Sequence, residues 1–311
     1  MGMHIYFSGI GGTGIGPLAL IAHQAGYNVS GSDKQQSQYT DYLLKQGIKL
    51  HIGQSAEQIG LEHAENPIDW IVYSSALPLE QPQHPELVFA KEHGIRTSKR
   101  DECLNEILAT KQLEMIAAAG THGKTTTTAM LIWLFKAMSE PLSYSVGAKI
   151  SFGDMGAYEP SSRYFAYECD EFDRNFLQFY PAVSIVSSVD WDHHEIYKTR
   201  EDYKAAFRKF ISQSKQTLLY AKDATYLELE ASDSLTIIED NDPVIDKIQL
   251  SGQHNRRNAR LVIAAVSTSL GIDELTLVDA ISSFPGVSRR FEQIIPGLYS
   301  DYAHTPEEIM A

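Results

Sequence analysis

Ala118-Ala-Gly-Thr-His-Gly-Lys-Thr125 decides the reading of this chain. The stretch fits the phosphate-binding pattern G-x-x-x-x-G-K-[ST], with alanine at the first glycine position. Its flanks carry the context that the chemistry needs. Leu113–Ala119 is an apolar run that predicts a buried strand, and Thr125–Met138 predicts a helix. A strand that turns sharply into a helix aims the turn's N–H groups and the helix N-terminus at one point, which favours an anion. Lys124 is then placed for the β- and γ-phosphates of ATP and the Thr125 hydroxyl for Mg²⁺, while a histidine ligand nearby would suit Mn²⁺ as well. Gly120, Thr121, His122, Gly123, Lys124, Thr125 and Thr126 form the candidate ATP loop. The competing reading is a tight strand-to-helix turn with a solvated lysine, and it does not account for glycine, lysine, threonine and flanks together.

N-terminal to this loop, strand and helix signals alternate. His4–Ser8 predicts a buried strand, Pro17–Ala25 a helix, Tyr27–Ser32 a strand, Tyr39–Gln46 a helix and Trp70–Ser75 a strand before the Pro-rich stretch Leu77–Pro85. This alternation predicts a parallel sheet with helices on its faces. A second glycine-rich turn, Gly9-Ile-Gly-Gly-Thr-Gly-Ile-Gly16, follows the first strand, and Asp33 ends the second. That is the dinucleotide-type fingerprint, with Asp33 placed for a ribose hydroxyl. It specifies a nucleotide diphosphate better than it specifies NAD. Close packing of helix on strand is the plainer alternative for these glycines.

C-terminal to the loop, Tyr164–Glu168 and Ala182–Ser188 predict further buried strands. Each runs into a polar cluster, Glu168-Cys-Asp-Glu-Phe-Asp173 and Asp190-Trp-Asp-His-His-Glu195. Ligands of open α/β sheets bind at the carboxyl ends of strands, where both clusters fall. Carboxylate and imidazole there can complete a metal's coordination. Solvated loop acids are the bland reading of either cluster alone. His193 and His194 are expected to point apart on a strand, and no Cys/His spacing resembles a zinc site. Tyr203, Phe207, Phe210 and Ile211 line one helix face, with Thr199 as its N-cap. Gln216–Tyr220 predicts a strand, Thr236–Ser251 is the least regular region, and Asn258–Leu270 and Leu275–Ser283 predict helices.

Composition limits what such a protein does. With 26 Lys+Arg against 40 Asp+Glu in 311 residues, the net charge of −14 disfavours non-specific binding to nucleic acid or anionic membranes. No apolar run reaches the roughly 18 residues that span a bilayer, and no signal peptide is evident. Cys103 and Cys169 are too few for a disulfide scaffold, so a cytoplasmic location is expected. The length suggests about two domains. We expect a Rossmann-like domain over 1–110, a central P-loop domain over 111–296, and over 297–311 the opening of a third.

With these segments in hand, the chain resembles the Mur ligase family of peptidoglycan synthesis. The resemblance rests on Gly120-Thr-His-Gly-Lys-Thr-Thr-Thr127, Gly9–Gly16 with Ser30-Gly-Ser-Asp33, Glu168–Asp173 and Asp192-His193. It extends through Gly252-Gln-His-Asn-Arg-Arg-Asn-Ala259, Arg289-Arg-Phe-Glu292 and Asp301-Tyr-Ala-His-Thr-Pro306. The family's pattern implies an α/β fold, with a Rossmann-like UDP-binding domain followed by a P-loop ATP-binding domain. It implies an ATP-dependent ligase in which UDP-N-acetylmuramate is activated as an acyl phosphate and attacked by L-alanine. By position it assigns metal ligation to Thr125, Glu168 and His193, and adenine contacts to Asn255 and Asn258. ATP contacts from the hinge and third domain fall to Arg290 and Asp301. Lys124, His193 and His304 are the implied catalytic residues. Gly9, Gly11, Gly12, Thr13, Gly14, Asp33 and Ser74 are the implied UDP-sugar residues.

Two departures are visible: Ser300 replaces an acid common before Asp301, and Ser212–Ser251 is short. The family's third domain is expected to be missing after Ala311, which predicts nucleotide binding with weak ligation or none. A monomer or homodimer is expected. Two other readings compete. A murein-recycling ligase would add a tripeptide in place of alanine. An NAD-dependent dehydrogenase built on Gly9–Gly16 and Asp33 would leave the P-loop without a task.

Overall fold

The computed structural model describes residues 2–74, 76–288, 292–295 and 298–300. Arg290, Asp301 and His304, with Tyr302, lie outside the described residues. The chain forms two compact units. The first is Met1–Gln112 together with Gly156–Pro160, and the second is Leu113–Met155 with Ser161–Ala311.

The first unit is doubly wound. Its elements are β1 (His4–Ser8), α1 (Gly16–Gln24), β2 (Asn28–Asp33), α2 (Gln38–Lys45), β3 (Lys49–Ile52), α3 (Ala56–Glu65), β4 (Trp70–Tyr73), α4 (Ala76–Glu80), α5 (Pro85–His93), β5 (Arg96–Lys99) and α6 (Arg100–Lys111). The sheet runs β3-β2-β1-β4-β5, all parallel. Every residue of β1 is buried, because helices cover both faces of a parallel sheet. The strand order reverses beside β1, so the turn leaving its carboxyl end opens at the sheet's switch point. Helices α5 and α6 are absent from the sequence reading. Pro85 sits at the start of α5, where a missing N–H costs nothing, so it opens a helix rather than closing one.

The second unit comprises β6 (Glu114–Ala119), α7 (Lys124–Ala137), β7 (Leu142–Ser145), then, after the first unit's returning segment with its short β8 (Gly156–Ala157), β9 (Tyr164–Glu168), a 3₁₀ stretch (Phe172–Gln178), β10 (Val183–Val186), α8 (Arg200–Gln213), β11 (Gln216–Tyr220), α9 (Ala221–Tyr226), β12 (Leu235–Ile238), α10 (Val244–Lys247), α11 (Gln253–Leu270) and α12 (Glu274–Ile281). Its strands run β12-β11-β10-β6-β9-β7, each neighbouring pair parallel. The central strand β6 therefore has β10 on one side and β9 on the other. Ala118 is in register with Glu168, and Ala119 with Val186. This brings the carboxyl ends of three adjacent strands to one edge. A short antiparallel pair, β13 (Glu292–Ile295) with β14 (Leu298–Ser300), follows.

Helix α8 matches its sequence pattern. Tyr203, Phe207 and Phe210 are fully buried, Ile211 is buried, and the Phe210 ring stacks on Phe176 at 4.9 Å. Two sequence expectations shift. The region 236–251 contains most of β12 and all of α10, and α11 starts at Gln253 rather than Asn258. The first turn of α11 is polar, so the apolar period that marks a helix appears only one turn later. Among the described residues no helix is long and apolar enough to cross a membrane.

Candidate functional site

The P-loop leaves β6 and enters α7. Gly120 has φ +136°, and a Cβ there would lie 2.6 Å from Ser187 Oγ and 2.9 Å from the Ser188 amide, so the loop runs flat against the next strand's end. Gly123 has φ +85°, and a Cβ there would lie 2.9 Å from Asn258 Nδ2. Both positions need glycine for backbone conformation and for space. Gly123 also sits at the N-cap of α7 and has no side chain with which to cap it. The first-turn amides are thus left for a ligand's oxygens.

The loop is clamped by the segment after β10. The Thr121 amide donates to the Ser188 carbonyl at 3.0 Å and the His122 amide to Ser188 Oγ at 2.9 Å. Ser187 Oγ donates to the His122 carbonyl. Thr121 Oγ1 donates to the Asp190 carbonyl at 2.8 Å, accepts the Asp190 amide at 2.9 Å and contacts the Tyr203 hydroxyl at 2.8 Å. Asp223, buried at the start of α9, accepts the Val189 amide at 2.9 Å and so holds the same segment from behind. Burial pushes its carboxyl up from an ordinary 3.8 to about 6, the Val189 hydrogen bond opposing.

Charge is concentrated where β9 ends. Thr125 Oγ1 donates to Glu168 Oε1 at 2.8 Å, and the Gly147 amide donates to Glu168 Oε2 at 2.8 Å. Lys124 Nζ lies 2.8 and 3.0 Å from the two oxygens of Glu171, a fully buried carboxylate. Burial alone would lower the Lys124 ammonium, but the Glu171 charge overrides this and holds it above its ordinary pKa. His193 Nε2 stands 3.5 Å from Glu171 Oε1, and hydrogen bonding to Glu171 raises the imidazole's pKa against burial.

The hydroxyl and carboxylate oxygens of Thr125 and Glu168 are the hard donors that Mg²⁺ prefers. With the uncapped first turn of α7 they suit a metal-bound polyphosphate. His193 departs from the expected set: its closest carboxylate partner is Glu171. Asp170, Glu171 and His193 offer ligand atoms within 4.8 Å of one another, a trio that includes neither Thr125 nor Glu168. His193 and His194 do not lie on a strand; His193 has φ +51° in an irregular turn.

Asn258 lies buried against Gly123, in the second turn of α11, and Thr126 is buried in the first turn of α7. Asn255 Nδ2 donates to the Ser251 carbonyl at 2.9 Å. Ser187, Ser188, Tyr203 and Asp223 escaped the sequence reading as working parts of the site, and Glu171 entered it only as one acid of a cluster. Their partners lie far along the chain, and only the strand order brings them together.

In the first unit, the turn after β1 carries Gly9 at φ +78°, with Gly12 and Thr13 exposed at its tip. The Gly11 amide donates to Asp33 Oδ2 at 2.8 Å, and the Gln35 amide to Asp33 Oδ1 at 3.3 Å. Asp33 thus braces the glycine turn in this structure, beyond the ribose contact expected of it. The Arg100 guanidinium lies against Gly14, where a Cβ would overlap it, and adds positive charge beside the turn. Beneath, Glu86 is fully buried and accepts Tyr6 OH at 2.8 Å and Ser8 Oγ at 2.5 Å. Ser74 follows β4, and its carbonyl accepts the Leu77 amide at 3.0 Å.

Comparison with known proteins agrees with this geometry in both units. Residues 4–112 match the model of the Mur ligase family catalytic domain, and 118–234 match the Mur ligase middle domain. The chain is 33% identical to UDP-N-acetylmuramate–L-alanine ligase of Agathobacter rectalis, covering 99% of this chain and 73% of that protein. It is 32% identical to the enzyme of the same name from Acetivibrio thermocellus, covering 99% and 71%. The crystal structure of UDP-N-acetylmuramate–alanine ligase from Thermotoga maritima superposes with a TM-score of 0.80 at 27% identity, covering 99% of this chain and 76% of that one. A murein peptide ligase from Psychrobacter arcticus shares the fold, with a TM-score of 0.77 at 22% identity over 99% and 74%. With an α/β Rossmann-like unit, a P-loop unit and relatives that match along nearly its whole length, this chain belongs to the Mur ligase family.

Proposed function

We propose that this protein is an ATP-dependent, amide-forming ligase that joins L-alanine to UDP-N-acetylmuramate in peptidoglycan synthesis. One observation carries the reading: the 33% identity to an alanine-adding relative extends over 99% of the chain, across both nucleotide-binding loops.

The chemistry divides one hard condensation into two easier steps. The lactyl carboxylate of UDP-N-acetylmuramate attacks the γ-phosphorus of ATP; a C–O–P linkage forms and ADP leaves. The alanine amine then attacks the acyl carbon; the amide forms, phosphate leaves, and the amine loses a proton. Phosphoryl transfer asks the protein for positioning and charge neutralisation more than for acid–base groups. Lys124 and the first-turn amides of α7 bind the phosphates. Thr125 and Glu168 would hold Mg²⁺, whose charge, when bound, would neutralise the phosphate oxygens. His193 is the third ligand implied by the family's pattern. Asn255 and Asn258 take the adenine, and Arg290, Asp301 and His304 keep the roles that the pattern implies. In the first unit, the turn Gly9–Gly14, with Asp33, Arg100 and Ser74, holds the UDP diphosphate. We place the reaction in the cytoplasm, where ATP is available and the two free cysteines stay reduced.

The test is mass spectrometry of products formed from ATP, UDP-N-acetylmuramate and a panel of acceptors that includes L-alanine, other amino acids and the murein tripeptide. An alanine adduct with ADP and phosphate is expected, at low yield from the 311-residue chain in keeping with the weak ligation its sequence predicts. A tripeptide adduct in preference to the alanine adduct would replace this reading with the recycling one.

A further inference from the structure

Two sets of partners engage the Lys124 ammonium. On its own loop it donates to the Gly120 carbonyl at 2.8 Å and to the Thr121 carbonyl at 3.3 Å. Across from the loop it lies 2.8 and 3.0 Å from the two oxygens of Glu171. An ammonium has three protons to donate. These four acceptors use all of them, and no donor remains for a phosphate oxygen. Lys124 therefore points back into the protein in this structure, away from the ligand it is expected to serve.

Glu171 is built to stay where it is. Its side chain is fully buried. Its carbonyl accepts the Tyr197 hydroxyl at 2.7 Å and the Arg174 amide at 3.0 Å, which fix the backbone that carries it. The His193 imidazole stands with Nε2 3.5 Å from the same carboxylate, so Glu171 retains a polar neighbour when Lys124 leaves. Breaking a buried charge pair normally strands a charge at high cost. Here the geometry supplies a replacement, which makes Lys124 exchangeable.

We propose that Glu171 is a positioning residue that holds Lys124 withdrawn and competes with nucleotide phosphate for it. Binding ATP then exchanges one partner for another: Lys124 passes from the carboxylate to the phosphates, and in the metal-free complex Glu171 keeps His193 beside it. The apparent affinity for nucleotide is scaled down to the fraction of molecules in which Lys124 is free of Glu171. The inference rests on the ATP-binding reading above, and the test separates the two.

Calorimetric titration with ATP in excess chelator removes metal from the comparison. Glu171→Gln is expected to bind ATP about tenfold more tightly than wild type, the scale of one charge-assisted contact. Glu171→Asp, whose carboxylate falls a methylene short of the ammonium, is expected to move in the same direction. It replaces the glutamine variant if thermal unfolding shows that variant to be unfolded. Loss of any nearby negative charge also favours a polyanion, so Asp170→Asn serves as the charge control. The Asp170 carboxylate accepts the Phe172 amide at 3.2 Å. Its gain is expected to be at most about a third of that at Glu171, because it does not release Lys124. Unchanged or weaker binding by folded Glu171 variants overturns the proposal, as does an equal gain in Asp170→Asn. Wild type that binds ATP without such a gain leaves the ligase reading standing. Wild type that binds no ATP removes both.

Discussion

Gly123 and Asp223 show how single residues set the site. Gly123 combines a left-handed backbone with an Asn258 side chain 2.9 Å from where a Cβ would stand. Gly123→Ala is expected to cost about 1–3 kcal/mol of stability through backbone strain and displacement of Asn258. Urea unfolding measures it, and a cost below the error of the method contradicts the account. Asp223 acts through pH. Its buried carboxyl titrates near 6 in the folded chain, above its ordinary 3.8, so the fold holds that proton more tightly than the unfolded chain does. The stability it supplies is full below its unfolded pKa and is lost as pH rises through about 6. Asp223→Asn keeps an acceptor for the Val189 amide and removes the titration. The variant should gain roughly 1–3 kcal/mol over wild type at pH 7, and the gain should vanish near pH 4. Melting curves across that range decide; a gain independent of pH contradicts the assignment. Lys124, Thr125 and Glu168 were legible in the sequence because each sits at a fixed offset from a strand end. Glu171 was legible only as one acid among several, since nothing local says that its side chain turns inward to Lys124.

At the scale of elements, helix ends carry as much information as helix faces. The N-cap Thr199 accepts the Asp202 amide at 3.1 Å, and the Asp202 carboxylate accepts the Thr199 amide at 3.2 Å. Thr199→Ala is expected to lower stability by about 1 kcal/mol. The check is thermal unfolding of the variant beside Thr199→Ser, which keeps the cap and should behave as wild type. This helix was read correctly from its sequence because cap and apolar face agree. Helix α6 was not, although it buries Cys103, Leu104, Ile107 and Leu108. Its apolar residues are few and separated by charged ones, and Lys99 at its N-cap gives no capping signal. Helix α11 was read one turn short because its first turn, from Gln253, is polar. The central strands of the parallel sheets were the most legible elements, since continuous apolar runs have few other uses, whereas β3, β5 and β7, four residues each and with polar or charged side chains, were not read.

At the scale of the molecule, two glycine-rich turns after parallel strands belong to two separately built units. Lys124→Ala should weaken ATP binding by about 10- to 100-fold, the effect of one charge-assisted contact, while UDP-N-acetylmuramate binding stays unchanged. Titration of each ligand into the same preparation tests it, and a parallel loss of both affinities contradicts the account. That two such units exist was legible from the repeated pattern of strand, glycine turn and helix. The ownership of Gly156–Pro160 was not, because this short segment has no periodicity to read. It packs on the first unit: a Cβ on Gly156 would lie 2.9 Å from the Pro17 carbonyl, and the Tyr158 amide donates to Gln24 Oε1 at 2.7 Å. Protein synthesis proceeds from the N-terminus, and domains generally fold as they emerge from the ribosome. Residues 156–160 emerge only after Leu113–Met155, so the first unit waits for a piece of itself while the second is already being made. Maturation of the two units is therefore interleaved in time, and a nascent chain halted after Gln112 would expose the face of α1 that the later segment covers.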